Sequence, residues 1–139
     1  MLQCRNQLRI QWGDCDPAGI VYFPRYFEMF DNATIALLET FGLKKAELLR
    51  KYAIAGFPVV HTETDFRSAC TFGDDVVIES GIEKCGSASF RIRHRMIKED
   101  GSVAVECSET RVWVERDVSR PGGIKAVAIP EEIKAHFTK

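Results

Sequence analysis

Residues 23 to 41, FPRYFEMFDNATIALLETF, place apolar or small side chains at Phe23, Phe27, Phe30, Thr34, Leu37, Leu38 and Phe41, three or four apart. That is the spacing of one helix face. Pro24 suits the first helical turn, where its missing N–H costs nothing, and Gly42 suits the stop. Met29, Ala33, Ile35 and Ala36 widen the apolar arc, so that the only charges left along the segment are Arg25, Glu28, Asp31 and Glu39. A helix this apolar needs cover on most of its sides, and a curved antiparallel sheet can supply it.

The rest of the chain reads as that sheet. Leu8 to Trp12, LRIQW, alternates apolar and polar residues and is expected to form a first strand ending at Gly13. After the helix, KKAELLRKY predicts a brief amphipathic helix, and from Phe57 onward the period changes to two. FPVVHTETDF and DDVVIESGIEK are strand candidates around a turn near Gly73, and SFRIRHRMIK alternates Phe90, Ile92, His94 and Met96 with Arg91, Arg93 and Arg95. Asp100-Gly101 is a hairpin signal leading into SVAVECSETRVWVE. There the apolar parity switches between Val103 or Val105 and Val112 or Val114, which points to a bulge near Ser108 or to burial on both faces. RPGG at 120–123 reads as a loop, and Pro130 opens a short terminal helix. The expectation is one α+β domain over residues 1–139, with a long central helix wrapped by about five antiparallel strands.

Composition narrows the function. A formal net charge of −1 on 139 residues offers no general attraction to nucleic acid or anionic membrane, so any anionic ligand must be held by a local patch. The five cysteines, at 4, 15, 70, 85 and 107, are odd in number and form no CxxC pair, which suggests neither a disulfide framework nor a zinc site. The opening MLQCRNQLRI has no apolar h-region, and no stretch approaches twenty apolar residues. A cytoplasmic protein is expected.

The chemistry concentrates in GDCDPAGIVYFP, residues 13–24. Asp16-Pro17-Ala18-Gly19 fits a type I turn, in which the Asp16 side chain can simply bond the turn backbone. Asp14 reads more readily as a solvated acid at a strand end. The functional reading begins with the helix that follows. The first N–H groups of a helix lack internal partners and carry partial positive charge, so the backbone near Phe23 offers an oxyanion site. A carboxylate beside it completes a minimal acyl-transfer pair, in which one oxyanion donor is worth about a hundredfold to a thousandfold in rate.

GDCDPAGIVYFPRYFEMFD resembles the motif of the 4-hydroxybenzoyl-CoA thioesterases, a family of the hotdog-fold acyl-CoA thioesterase superfamily, and weaker likeness continues through GFPVV, FGDDVVIES and SFRIRHRM. The resemblance implies the hotdog fold, an acyl-CoA substrate with an aromatic acyl group such as 4-hydroxybenzoyl, and no metal or organic cofactor. It also implies a homo-oligomer, at least a dimer and by resemblance a tetramer built from dimers, with sites between protomers. It places the catalytic carboxylate on Asp16, as nucleophile or as general base to water, and the polarising amide on Phe23. Gly19 and Tyr22 fall on substrate-binding positions, with Gly19 letting the backbone turn close to the substrate, and Asp31 on an acid facing the acyl end.

Two departures from the family pattern stand out. GSASF, residues 86–90, replaces the basic run that grips the CoA phosphates, leaving Lys84 and Arg91 as candidates together with Arg93 and Arg95, although alternating arginines also describe a solvated strand face. Phe57 stands where the family has a small polar residue, which suggests a bulkier, more apolar pocket wall.

Other readings carry less. Cys15 has no Cys-His signature and reads as a packed residue. His61 and His94 lie in alternating strands as core or surface histidines with no metal spacing. Glu63 is an acid that another branch of the fold could use. A short-chain or fatty acyl-CoA thioesterase of the Tol-Pal-associated type is the alternative enzyme, disfavoured by Pro24 where that type carries histidine. A non-catalytic acyl-CoA-binding module is the alternative of another class.

Overall fold

The structure, a computed structural model, describes residues 3–139. Met1 and Leu2, part of the stretch read for a leader, lie outside the described residues. Strands β1 (Gln3–Arg9), β2 (Val59–Phe66), β3 (Asp75–Cys85), β4 (Ser89–Lys98) and β5 (Val103–Val112) form one antiparallel sheet in the order β1-β3-β4-β5-β2. Helix α1 (Phe23–Thr40) packs on its inner face, and α2 (Lys45–Lys51) and α3 (Glu131–Thr138) close the end where α1 finishes. A small ribbon of β6 (Val114–Arg116) and β7 (Ile124–Ala126), not foreseen in the sequence, extends the chain after β5.

The inner face follows the period-two pattern. Val76, Ile78, Ser80 and Ile82 of β3 and Phe90, Ile92, His94 and Met96 of β4 are buried under α1, while Arg91, Arg93 and Arg95 face outward. Tyr22 caps α1, Pro24 sits in its first turn, and Gly42 takes φ +80° just beyond its end, a conformation that suits glycine.

Two expectations shift. The first strand ends at Arg9, and Trp12–Asp14 forms a 3₁₀ turn in which the Asp14 carboxylate accepts the Gln11 N–H at 2.8 Å. No residue of β1 is buried, its positions alternating only between exposed and half-buried, so its sequence carries little apolar contrast to mark its limits. The irregularity of β5 lies at Ala104, not Ser108: Met96 pairs with Val105 and Ile97 with Val103, so Ala104 is the extra residue and both it and Val105 are buried.

Candidate active site

Asp16 occupies the tip of a small hairpin tied to the start of α1. Cys15 bridges Val21, and the Asp16 N–H donates to the Ile20 carbonyl at 2.9 Å. The Gly19 N–H closes the turn on the Asp16 carbonyl at 2.9 Å, with Gly19 at φ +82°. A type I turn followed by one left-handed residue is a common three-residue hairpin loop, and glycine meets its last position without strain. The turn expected from sequence is therefore formed.

The Asp16 side chain takes part in that turn. Its Oδ1 accepts the Ala18 N–H at 2.9 Å, while Oδ2 makes no bond among the described residues. One oxygen fixes the carboxylate and the other remains available.

The hairpin is stitched to the body on both sides. The Val21 N–H donates to the Cys70 carbonyl and the Tyr22 N–H to the Asp14 carbonyl, each at 2.9 Å. Tyr26, one turn into α1, accepts the Cys70 N–H at 3.2 Å, and burial pushes its phenol up to about 12. Asp16 and the amide of Phe23 thus share one rigid frame. As the first residue of α1, Phe23 has no intrahelical acceptor for its N–H, which points out of the positive end of an 18-residue helix.

Phe23, Phe27 and Asp31 follow one another four residues apart along one flank of α1. Phe23 and Phe27 both pack edge-on against Phe66, the last residue of edge strand β2, and Tyr22 is exposed beside Phe23. Asp31 ends the stripe. Its Oδ1 accepts from Nη2 of Arg111 at 2.8 Å.

That contact opens onto a feature the sequence reading missed. A buried polar layer crosses the core between an apolar cluster around Phe30, Met96 and Val105 and another around Leu37, Phe90 and Trp113. The Thr34 hydroxyl donates to Glu109 at 2.6 Å, His94 Nε2 lies 3.2 Å from the same carboxylate, and Ser80 Oγ lies 2.7 Å from His94 Nδ1. Arg111 Nε donates to Glu109 at 2.9 Å, and its Nη1 donates to the Phe57 carbonyl at 3.2 Å. Burial alone would raise the Glu109 carboxyl, but the bonds and charges of His94 and Arg111 outweigh it and hold the group at about 2. Burial opposes the Arg111 charge in the same way, and Glu109 with Asp31 raises its pKa despite that. The signal was present in the sequence, since Glu109 and Arg111 share the parity of Val105 and Cys107 and so fall at inward positions.

Three expected site residues are not brought to Asp16 within one chain. Phe57 is buried, stacked on Trp113 at 6.0 Å and packed against Phe90 at 5.9 Å. Arg91 stands on the outer sheet face, with Nε 3.0 Å from Glu83 and Nη2 3.5 Å from Glu63, and Lys84 is exposed beside a register shift in β3. Strand alternation turns Arg91 away from α1, so neither its charge nor that of Lys84 joins Asp16 within one chain. A depression of about 720 Å³ also lies on that outer face, among Arg5, Glu79, Glu83, Arg93 and Arg95 and without residues of the motif. Of the lesser candidates, His94 is a satisfied core histidine, His61 is exposed next to Glu63, and Cys15 packs against the core. No group of acids, histidines and cysteines among the described residues could hold a metal ion, and no helix is long and apolar enough to cross a membrane.

Comparison with known proteins fits this geometry. Residues 10–137 match the family described as the thioesterase-like superfamily. The chain is 30% identical over 131 residues to the 4-hydroxybenzoyl-CoA thioesterase of Pseudomonas sp. (strain CBS-3), covering 91% of each chain. Among solved structures it superposes with TM-score 0.89 on a 4-hydroxybenzoyl CoA thioesterase mutant complexed with 4-hydroxybenzoyl CoA, at 27% identity over 99% of both chains. It also superposes with TM-score 0.82 on a gentisyl-coenzyme A thioesterase, at 31% identity over 98% of this chain and 100% of that one. The fold is the hotdog fold, as expected.

Proposed function

Since this chain belongs to the thioesterase-like superfamily, we propose that it hydrolyses an aromatic acyl-CoA of the hydroxybenzoyl class to the free acid and CoA. It is an acyl-CoA thioester hydrolase, and the aromatic acyl group is the finer reading. The observation that carries it is the shared frame of the motif hairpin: Asp16 is fixed through Oδ1 with Oδ2 unbonded among the described residues, and the same hairpin is tied to the start of α1, where the Phe23 amide has no intrahelical acceptor.

In the proposed reaction Asp16 Oδ2 attacks the thioester carbonyl carbon, and the oxyanion that forms is met by the Phe23 N–H. Collapse breaks the C–S bond, expels CoA thiolate and leaves an acyl-aspartyl mixed anhydride. Water adds to that anhydride, releasing the acid and restoring the Asp16 carboxylate. Direct attack is the step favoured over activation of water.

The flank of α1 supports an aromatic acyl group. From residue 23 to residue 31 the helix rises about 12 Å. A para-hydroxybenzoyl group, about 6 Å from carbonyl carbon to phenolic oxygen by ordinary bond lengths, fits that span with a hydrogen bond of about 3 Å at either end. Phe23 and Phe27 would line the ring, Gly19 and Tyr22 would border the entrance, and Asp31 would accept the phenolic proton. One chain does not enclose this groove, in keeping with a homo-oligomer in which a second protomer covers it along edge strand β2.

Thiol release from benzoyl, hydroxybenzoyl, phenylacetyl and fatty acyl-CoA tests the proposal, with the wild type and Asp16→Asn side by side. Hydroxybenzoyl-CoA is expected to be cleaved best, and the variant to lose at least about 10²-fold in kcat, the smallest loss expected even were Asp16 only a general base. A variant with full activity would reduce Asp16 to a turn residue. Ligand binding without any cleavage would favour an acyl-CoA-binding module.

A further inference from the structure

Arg111 spends a buried guanidinium on a carboxylate that does not need it. Asp31 is a helix acid with a 57% exposed side chain, and left alone it would be solvated at no cost. Reaching it from β5 takes a positive charge through the core, where desolvation is expensive and apolar packing would serve stability as well. All three arms of the fork are used: Nε on Glu109, Nη1 on the Phe57 carbonyl and Nη2 on Asp31. The first two acceptors are buried and fixed, so the third bond takes its direction from them. Asp31 is held through Oδ1, and its Oδ2 makes no bond among the described residues. Asp31 is therefore fixed through one oxygen while the other is left at the wet end of the chain of contacts.

We propose that Arg111 is a positioning residue for substrate selection: anchored by Glu109 and Phe57, it locks the Asp31 carboxylate at the end of the Phe23–Phe27 stripe, where it accepts the hydroxyl of a phenolic acyl group. The inference rests on the aroyl reading of the groove. A point charge at this position does not replace the fork, because one ammonium cannot meet three acceptors in a plane with the same geometry.

The test uses two thioether analogues that cannot be hydrolysed, phenacyl-CoA and 4-hydroxyphenacyl-CoA. Their affinities are measured calorimetrically for the wild type, Arg111→Met, Arg111→Lys, Asp31→Asn and the Asp31→Asn/Arg111→Met double variant, and the matching thioesters are assayed for turnover. The wild type is expected to prefer the hydroxylated analogue by roughly tenfold to a hundredfold, the worth of one hydrogen bond to a charged acceptor. Both Arg111 variants should lose most of that preference, and the double variant should lose no more than Asp31→Asn alone. Arg111→Lys keeps a charge and most of the volume, so it carries the test if Arg111→Met fails to fold. Equal weakening of both analogues by Arg111→Lys would show a merely structural arginine and overturn the proposal, as would a wild type without preference. A wild type that prefers the hydroxylated analogue yet cleaves no aroyl-CoA would sink the hydrolase reading while supporting this one.

Discussion

Replacing Glu109 by glutamine removes the one negative charge that the buried layer keeps wholly inside the protein, while leaving its volume nearly unchanged. The carboxyl titrates at about 2 in the folded chain against an ordinary value of 4.5. At about 1.36 kcal/mol per unit, that depression corresponds to about 3 kcal/mol of stability at neutral pH. The figure agrees with the range of about 3–5 kcal/mol for breaking a buried ion pair by removing one partner. The sign follows from the depressed pKa. The contribution is complete above pH 4.5, and it is lost as pH falls through about 2. Near pH 3 roughly half of it remains. Urea denaturation of the wild type and Glu109→Gln at pH 7 and pH 3 should therefore show a gap of about 3 kcal/mol that narrows to about half in acid. A gap below about 1 kcal/mol at pH 7, or one that stays constant with pH, would refute the view that an ionised Glu109 is clamped between His94 and Arg111.

Two further perturbations probe the motif and the assembly. Gly19→Ala places a Cβ in open space but at φ +82°, so it should cost about 1–2 kcal/mol through backbone strain and lower kcat by loosening Asp16; an unchanged melting temperature would contradict the left-handed turn. Val60 is apolar and 60% exposed at the register shift of edge strand β2, so if a second protomer covers the groove along β2 as proposed, the wild type should sediment as an oligomer that Val60→Lys converts to smaller species with reduced turnover. A monomeric wild type, or an oligomer that the substitution leaves intact, would overturn that assembly surface.

How much of this was legible in sequence depended on whether the information was local. The limits of α1 could be read because its start and stop are set by neighbours in the chain, Tyr22 and Pro24 at one end and Gly42 at the other. Strand β4 could be read to its ends, since it is central and its two faces see opposite environments. The Asp16 turn was equally local, for its bonds run between residues 16 and 20. The edge strand β1 was misplaced because none of its residues is buried and QCRNQLR carries little apolar contrast.

The sequence by itself determined the apolar helix, the alternating strands that must wrap it, and the acid-turn-helix order that sets a carboxylate before a helix N-terminus. Only the tertiary structure decided what the charged residues do. Alternation told that Glu109 and Arg111 point inward, but not that α1 would bring Thr34 and Asp31 to meet them from 75 and 80 residues away, nor that β4 would set His94 beside Glu109. Nor could composition tell that Phe57 is core and Arg91 an outward ion-paired residue, for a side chain's partners across a sheet are fixed by register and helix packing, which no local pattern encodes.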